Sequence, residues 1–110
     1  MEAHRRSFEW ALNAGVTIAA GNDGCTPFNP CEDLVTEVRL MVEYGMNPIA
    51  AIRTATLGSA KALGLSEETG TIQSGKLADC LILDKDADPL KDMTALGQVW
   101  MVIKQGKIIS

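Results

Sequence analysis

The chain has 110 residues, 46% of them hydrophobic, and a formal net charge of −4. That length accommodates one small domain with one core, hiding roughly two thirds of the surface its unfolded chain would expose. Ten lysines and arginines are scattered among 14 aspartates and glutamates, so no basic stripe is available for phosphates and nucleic acid is excluded as an expected partner. No segment approaches 18 uncharged apolar residues, and the first residues lack the apolar run of a secretory leader. The expectation is a soluble, cytoplasmic protein with no membrane partner. The three cysteines, Cys25, Cys31 and Cys80, form no Cys-x-x-Cys pair and read as free thiols.

In chain order, His4, Phe8, Ala11 and Leu12 recur at helical spacing and predict an opening helix that Asn13 and Gly15 stop. Residues 16–20, VTIAA, are short and largely apolar and lie between helices. Those flanks predict a parallel strand covered on both faces. Two helices follow, each opened by Asn-Pro, at Asn29-Pro30 and Asn47-Pro48. The asparagine side chain caps orphan backbone N–H groups, and proline tolerates the first helical position because it has none to lose. Leu34, Val35, Val38, Met41 and Val42 make the buried stripe of the first, which Gly45 ends; Glu32 and Asp33 suit its positive end. The second carries Ile49, Ile52, Thr56 and Leu63 on one side, with Ala50, Ala51, Ala55 and Ala60 allowing close approach, and stops at Gly64.

From Gly70 the pattern turns to β. Residues 71–73 predict a short strand before a glycine turn, and 78–83 a strand with the apolar run Cys80-Leu81-Ile82-Leu83. A charged loop follows at 84–89. Residues 99–103 are expected to pair with 107–109 across Gln105-Gly106, a two-residue hairpin connection. These strands belong to a different sheet from residues 16–20. The end of an α/β unit followed by a β module is an unusual layout for a self-contained domain.

An ordered series of short motifs, GMNP (45–48), AT (55–56), ALG (62–64), GTIQSGKLADCLIL (70–83) and VIKQGK (102–107), resembles the C-terminal end of the metal-dependent amidohydrolases. The resemblance is strongest to imidazolonepropionase-like and Xaa-Pro dipeptidase-like members, and it covers the chain from about Gly15 onward. It implies an α/β fold: the C-terminal fragment of a (β/α)8 barrel, with its last strand and following helices in residues 1–64, and the C-terminal strands of a small β-sandwich in 65–110. Residues 16–20 would be the eighth barrel strand. Asp23 then matches the aspartate at the end of that strand, which ligates a metal and takes a proton from the attacking water. The residues themselves allow this chemistry. A short carboxylate at the mouth of a parallel strand, between Gly21 and Gly24, can bind a cation and accept a proton. Read without the resemblance, Asn-Asp-Gly after a strand is also ordinary turn chemistry.

The implied cofactor is a divalent metal, zinc foremost, in a full-length parent, with weak or no binding by this chain alone. Catalytic zinc takes three protein ligands plus water, and this chain has no His-x-His. Asn22 stands where the family has threonine or serine. The only histidine, His4, belongs to the helical stripe and is read as a packed or half-exposed residue. Asp23, Cys25 and Cys31 lack the spacing of a zinc knuckle and a fourth ligand, and Asp84, Asp86 and Asp88 lack the glycine and glutamate of a calcium loop. Trp10 and Trp100 read as core or interface anchors.

Two functions from different classes are therefore expected. The first is the C-terminal portion of a hydrolase that cleaves amide or other C–N bonds in a small-molecule amide or peptide-like substrate. The second is a noncatalytic folding or assembly module. Removal from neighbouring strands leaves apolar edges, so a homo-oligomer is expected.

Overall fold

The structure, a computed structural model, describes residues 2–21 and 34–109. Asp23, Cys25, Cys31 and the Asn29-Pro30 cap lie outside the described residues. Helix α1 (Glu2–Asn13) is followed by α2 (Leu34–Glu43), α3 (Pro48–Thr54) and α4 (Leu57–Ala62), then by a three-stranded antiparallel sheet of β1 (Cys80–Leu83), β2 (Val99–Lys104) and β3 (Lys107–Ile108).

The helix ends follow from their local sequences. At Gly15 and Gly45 the chain turns into the left-handed region, with φ of 76° and 111°. The next two N–H groups then return to the carbonyls that the helix leaves open. Gly15 and Val16 donate to Leu12 and Ala11, as Gly45 and Met46 do to Val42 and Met41. Gly64 closes α4 in the same way, Gly64 and Leu65 donating to Lys61 and Ala60. At the other end of α3, the Asn47 carboxamide oxygen accepts the N–H groups of Ile49 and Ala50 at 2.9 and 3.4 Å, with Pro48 at the first position.

The core is built by these helices. Val38 and Met41 of α2, Met46, Ala51 of α3 and Met93 are buried, with Phe8, Leu12, Ile18, Ala20 and Leu96 packed around them. The Phe8 ring meets Tyr44 edge-on at a centroid distance of 6.0 Å, and the Arg5 guanidinium lies 5.5 Å from the centre of the same ring. The ion pairs Arg5–Glu9 and Arg39–Glu43 are exposed i,i+4 pairs. Each contributes only about 0.3–0.5 kcal/mol, so packing holds the layer together.

Four expectations are corrected. Residues 16–20 form no strand ladder among the described residues, because a parallel strand needs a neighbour to exchange hydrogen bonds with and the sheet of this chain is formed elsewhere. The segment docks on the helices instead, with the Ala20 N–H donating to the Thr54 carbonyl at 2.9 Å. That same contact explains the second correction, the division of the expected single helix into α3 and α4. In a continuous helix the Thr54 carbonyl would accept from Gly58; here it accepts from Ala20 and, at 2.7 Å, from the Ser59 hydroxyl. Thirdly, residues 71–73 are not a strand. Lys76 Nζ donates to the Ser66 carbonyl and the Thr71 hydroxyl, both at 2.7 Å, and folds this stretch into a pinned loop. Finally, Trp10 and Trp100 are 68% and 65% exposed, which sets aside the core half of their reading and keeps the expectation of interface anchors. His4 is exposed on α1 as well.

The sheet follows its sequence closely. Cys80 to Leu83 pair with β2, Cys80 facing Ile103 and Leu81 facing Val102, with an irregularity between Ile82 and Leu83. Ile103 faces Ile108 across the hairpin. Gln105 and Gly106 have φ of 51° and 79°, the two positive values that a type I′ turn requires. A 3₁₀ helix at Met93–Gly97, capped by the Asp92 side chain on Thr94 N–H, carries Met93 into the core.

Candidate functional site

The sequence places the candidate carboxylate, Asp23, just after residues 16–20, and the described part of that approach is well ordered by its contacts. Ile18 and Ala20 face the helical core, whereas Val16 is 57% exposed. The partner is the junction between α3 and α4. Thr54, only 4% exposed, donates its hydroxyl to the Ala51 carbonyl at 2.6 Å and lies 3.5 Å from Met41 Sδ. Its carbonyl holds Ala20 and Ser59. Gly58 completes the surface: a Cβ there would lie 2.7 Å from the Ile18 carbonyl oxygen and 3.1 Å from that of Arg53. No side chain fits between the junction and the segment.

The remaining sequence candidates separate. His4 stays on the exposed side of α1. In the acidic loop, the Asp88 carboxylate accepts the Leu90 N–H at 3.0 Å and shapes a turn. Among the described residues, no three His, Cys, Asp or Glu side chains gather as a metal-holding group. Cys80 is a free, half-buried thiol on β1. Also among the described residues, no helix is long and apolar enough to cross a membrane.

Asp79 and Lys76, within GKLAD, have roles that periodicity alone did not indicate. Asp79 Oδ1 accepts the Gln105 N–H at 2.9 Å, and Oδ2 accepts the Thr69 hydroxyl at 2.8 Å. The backbone hydrogen bond from Gln105 and then the Thr69 hydroxyl hold its pKa below the usual aspartate value, with Lys104 adding a smaller attraction. The available signal was a carboxylate placed immediately before an apolar strand whose neighbour ends in a tight turn.

Between α4 and the sheet lies an open apolar groove of about 610 Å³, lined by Ala60, Leu63, Ile72, Leu81, Val102 and Ile109 among others. Leu63 is 74% and Ile72 92% exposed. Gly70 lets the pinned loop approach α4, since a Cβ there would lie 2.8 Å from Ala60 Cβ.

Comparison with known proteins places this architecture. Residues 1–109 match the amidohydrolase family. The chain is 32% identical over 100 residues to an imidazolonepropionase of Thermoplasma acidophilum, covering 89% of this chain and 24% of that enzyme. It superposes on the structure of a Xaa-Pro dipeptidase with bound methionine in the active site, with a TM-score of 0.86 and 35% identity over 96% of this chain and 25% of the other. A molinate hydrolase structure gives a TM-score of 0.85 and 34% identity, over 97% of this chain and 26% of its own. The chain thus spans about a quarter of the length of the relatives it matches. By the extent of the family match and the agreement of these folds, the chain belongs to the amidohydrolase family.

Proposed function

We propose that this chain is the C-terminal portion of a metal-dependent hydrolase acting on amide or other C–N bonds of a small-molecule or peptide-like substrate, and that it contributes Asp23. One observation carries the reading. The segment leading to Asp23 is docked on helices in an arrangement that superposes on a Xaa-Pro dipeptidase over 96% of the chain. In this account residues 1–64 are the end of a (β/α)8 barrel and 65–110 the C-terminal strands of a composite β-sandwich. Active-site groups in such barrels sit at the C-terminal ends of the strands, and in sequence Asp23 follows residues 16–20, the segment this reading takes as the last barrel strand.

The described residues do not supply a metal cage. Asp23 is read as one donor to a divalent ion, zinc foremost, whose other donors lie outside this chain. Such an ion supplies Lewis acidity and an acidified water. The part assigned to this chain is a carboxylate that accepts the proton of the attacking water. An imidazolonepropionase and a Xaa-Pro dipeptidase are among the relatives, which supports C–N hydrolysis as the reaction class without fixing the substrate.

The exposed groove favours a second reading, an assembly module without catalysis. Leu63, Ile72 and Ile109, the last 60% exposed, form an apolar surface of the kind that other polypeptide covers. The experiment is recovery of the full open reading frame. An in-frame His-x-His strand upstream, with metal-dependent amide hydrolysis by the product, supports the hydrolase; a stop codon before a functional start at Met1 supports the module.

A further inference from the structure

We propose that the cleft between α3, α4 and residues 15–18 is a binding site for a small organic carboxylate with an apolar body. The cleft measures about 550 Å³, inside the range of roughly 300–1,000 Å³ usual for small-molecule sites. Arg53, in the last turn of α3, and Lys61, in the last turn of α4, both line it. Among the described residues that line it none is an aspartate or glutamate, although the chain carries 14 acidic residues against 10 lysines and arginines. The negative end of each helix would account for one cation apiece. It does not account for two cations sharing one cleft without a carboxylate. The larger groove beside α4, lined by both Asp79 and Lys104, has no such bias.

Neither charge is used inside the chain. The ion pairs among the described residues are Arg5–Glu9 and Arg39–Glu43, and the exposed side chains of Arg53 and Lys61 form no hydrogen bond there. Lys76 differs: its Nζ is already held by the Ser66 carbonyl and by the hydroxyl of Thr71, a residue of the same cleft, both at 2.7 Å. It adds a third positive charge nearby and leaves the other two open to a ligand. Much of the remaining lining is apolar, with Leu12, Val16, Ile18, Met46 and Leu57, and Val16 is 57% exposed. Apolar walls lower the local dielectric, so a carboxylate beside the two cations is attracted more strongly than in open water, and an apolar body gains by leaving water. The Arg53 guanidinium offers paired N–H donors that match a carboxylate, with Lys61 as a second point charge. A cationic ligand is repelled, and a neutral one leaves both charges unanswered. Nothing in this chemistry depends on Asp23.

The test is a titration of the 110-residue chain with 4-phenylbutyrate, followed through backbone amide chemical shifts. Saturable shifts centred on Thr17, Ile18 and Gly58 are expected, with the neutral 4-phenylbutanol and the bodiless acetate each binding about tenfold more weakly or worse. Arg53→Met and Lys61→Met keep the apolar stems and are each expected to weaken 4-phenylbutyrate binding by about tenfold or more, at an unchanged melting temperature. Lys104→Met removes a cation from the other groove and is the control, with affinity expected to stay as it was. The proposal is overturned by an absence of saturable shifts, by shifts centred on Leu81 and Val102 in the other groove, or by the alcohol or acetate binding as tightly as 4-phenylbutyrate. It is equally overturned by a Lys104→Met loss that matches those of Arg53→Met and Lys61→Met, or by undiminished binding in the folded double variant. Should the cleft variants lose their fold, the contrast between carboxylate and alcohol in the unsubstituted chain decides.

Discussion

Asp79 ties the hairpin turn to the loop before the sheet, its carboxylate accepting the Gln105 N–H at 2.9 Å from 26 residues away in sequence. Thr69 occupies the other oxygen. Because these bonds are stronger to the ionised carboxylate, the folded pKa lies below the ordinary aspartate value of the unfolded chain. The stabilisation is fully present above the unfolded value and is lost as pH falls through the folded one. Asp92, lowered by the Thr94 hydroxyl and N–H, acts in the same direction. Asp79→Asn is therefore expected to flatten the acid limb of stability, measured by urea denaturation from neutral to low pH. An unchanged acid limb in the double variant Asp79→Asn, Asp92→Asn would contradict this assignment.

Gly70→Ala should destabilise by about 1–3 kcal/mol. The new methyl would meet Ala60 Cβ at 2.8 Å and Leu57 Cα at 3.2 Å, from a backbone with φ of 102°. Denaturant titration with an unchanged midpoint would show that the loop and α4 separate freely.

Asn47→Ala should cost about 1 kcal/mol by leaving the Ile49 and Ala50 N–H groups without their cap, whereas Asn47→Asp or Asn47→Ser should retain most of it. Thermal melts of the three variants give the ordering, and equal melting temperatures would refute the capping role.

The exposed groove carries a prediction about assembly. The purified chain should form dimers or larger species at micromolar concentration, and Leu63→Glu together with Ile72→Lys should shift it toward monomer, because both side chains are apolar and open to solvent. Light scattering that finds a folded monomer of the unsubstituted chain would count against association through this face.

The parts of the fold that were legible in the sequence are those governed by neighbouring residues. Asn47-Pro48, the glycines at 15, 45 and 64, and the Gln105-Gly106 turn each act within a few residues, and all appear where their chemistry predicts. The break between α3 and α4 was not legible, because it depends on a hydrogen bond from Ala20, 34 residues before Thr54. Residues 16–20 read as a strand from their apolar run, but pairing depends on a neighbour that no local pattern supplies. The stretch 71–73 was misread for a similar reason, its shape being set by Lys76 reaching back to Ser66 and Thr71. Asp23 was singled out by its setting between glycines and by the family resemblance. Thr54, Gly58 and Ser59 carry no signature of their own, since small and hydroxyl residues are ordinary in helices.

The central claim concerns Asp23, and the most direct measurement is the hydrolytic rate of the complete protein with Asp23→Asn. The account predicts metal-dependent C–N bond hydrolysis by the unsubstituted protein and a loss of about 10²–10⁴-fold in kcat for the variant, with the fold retained. Hydrolysis that proceeds undiminished without this carboxylate would contradict it.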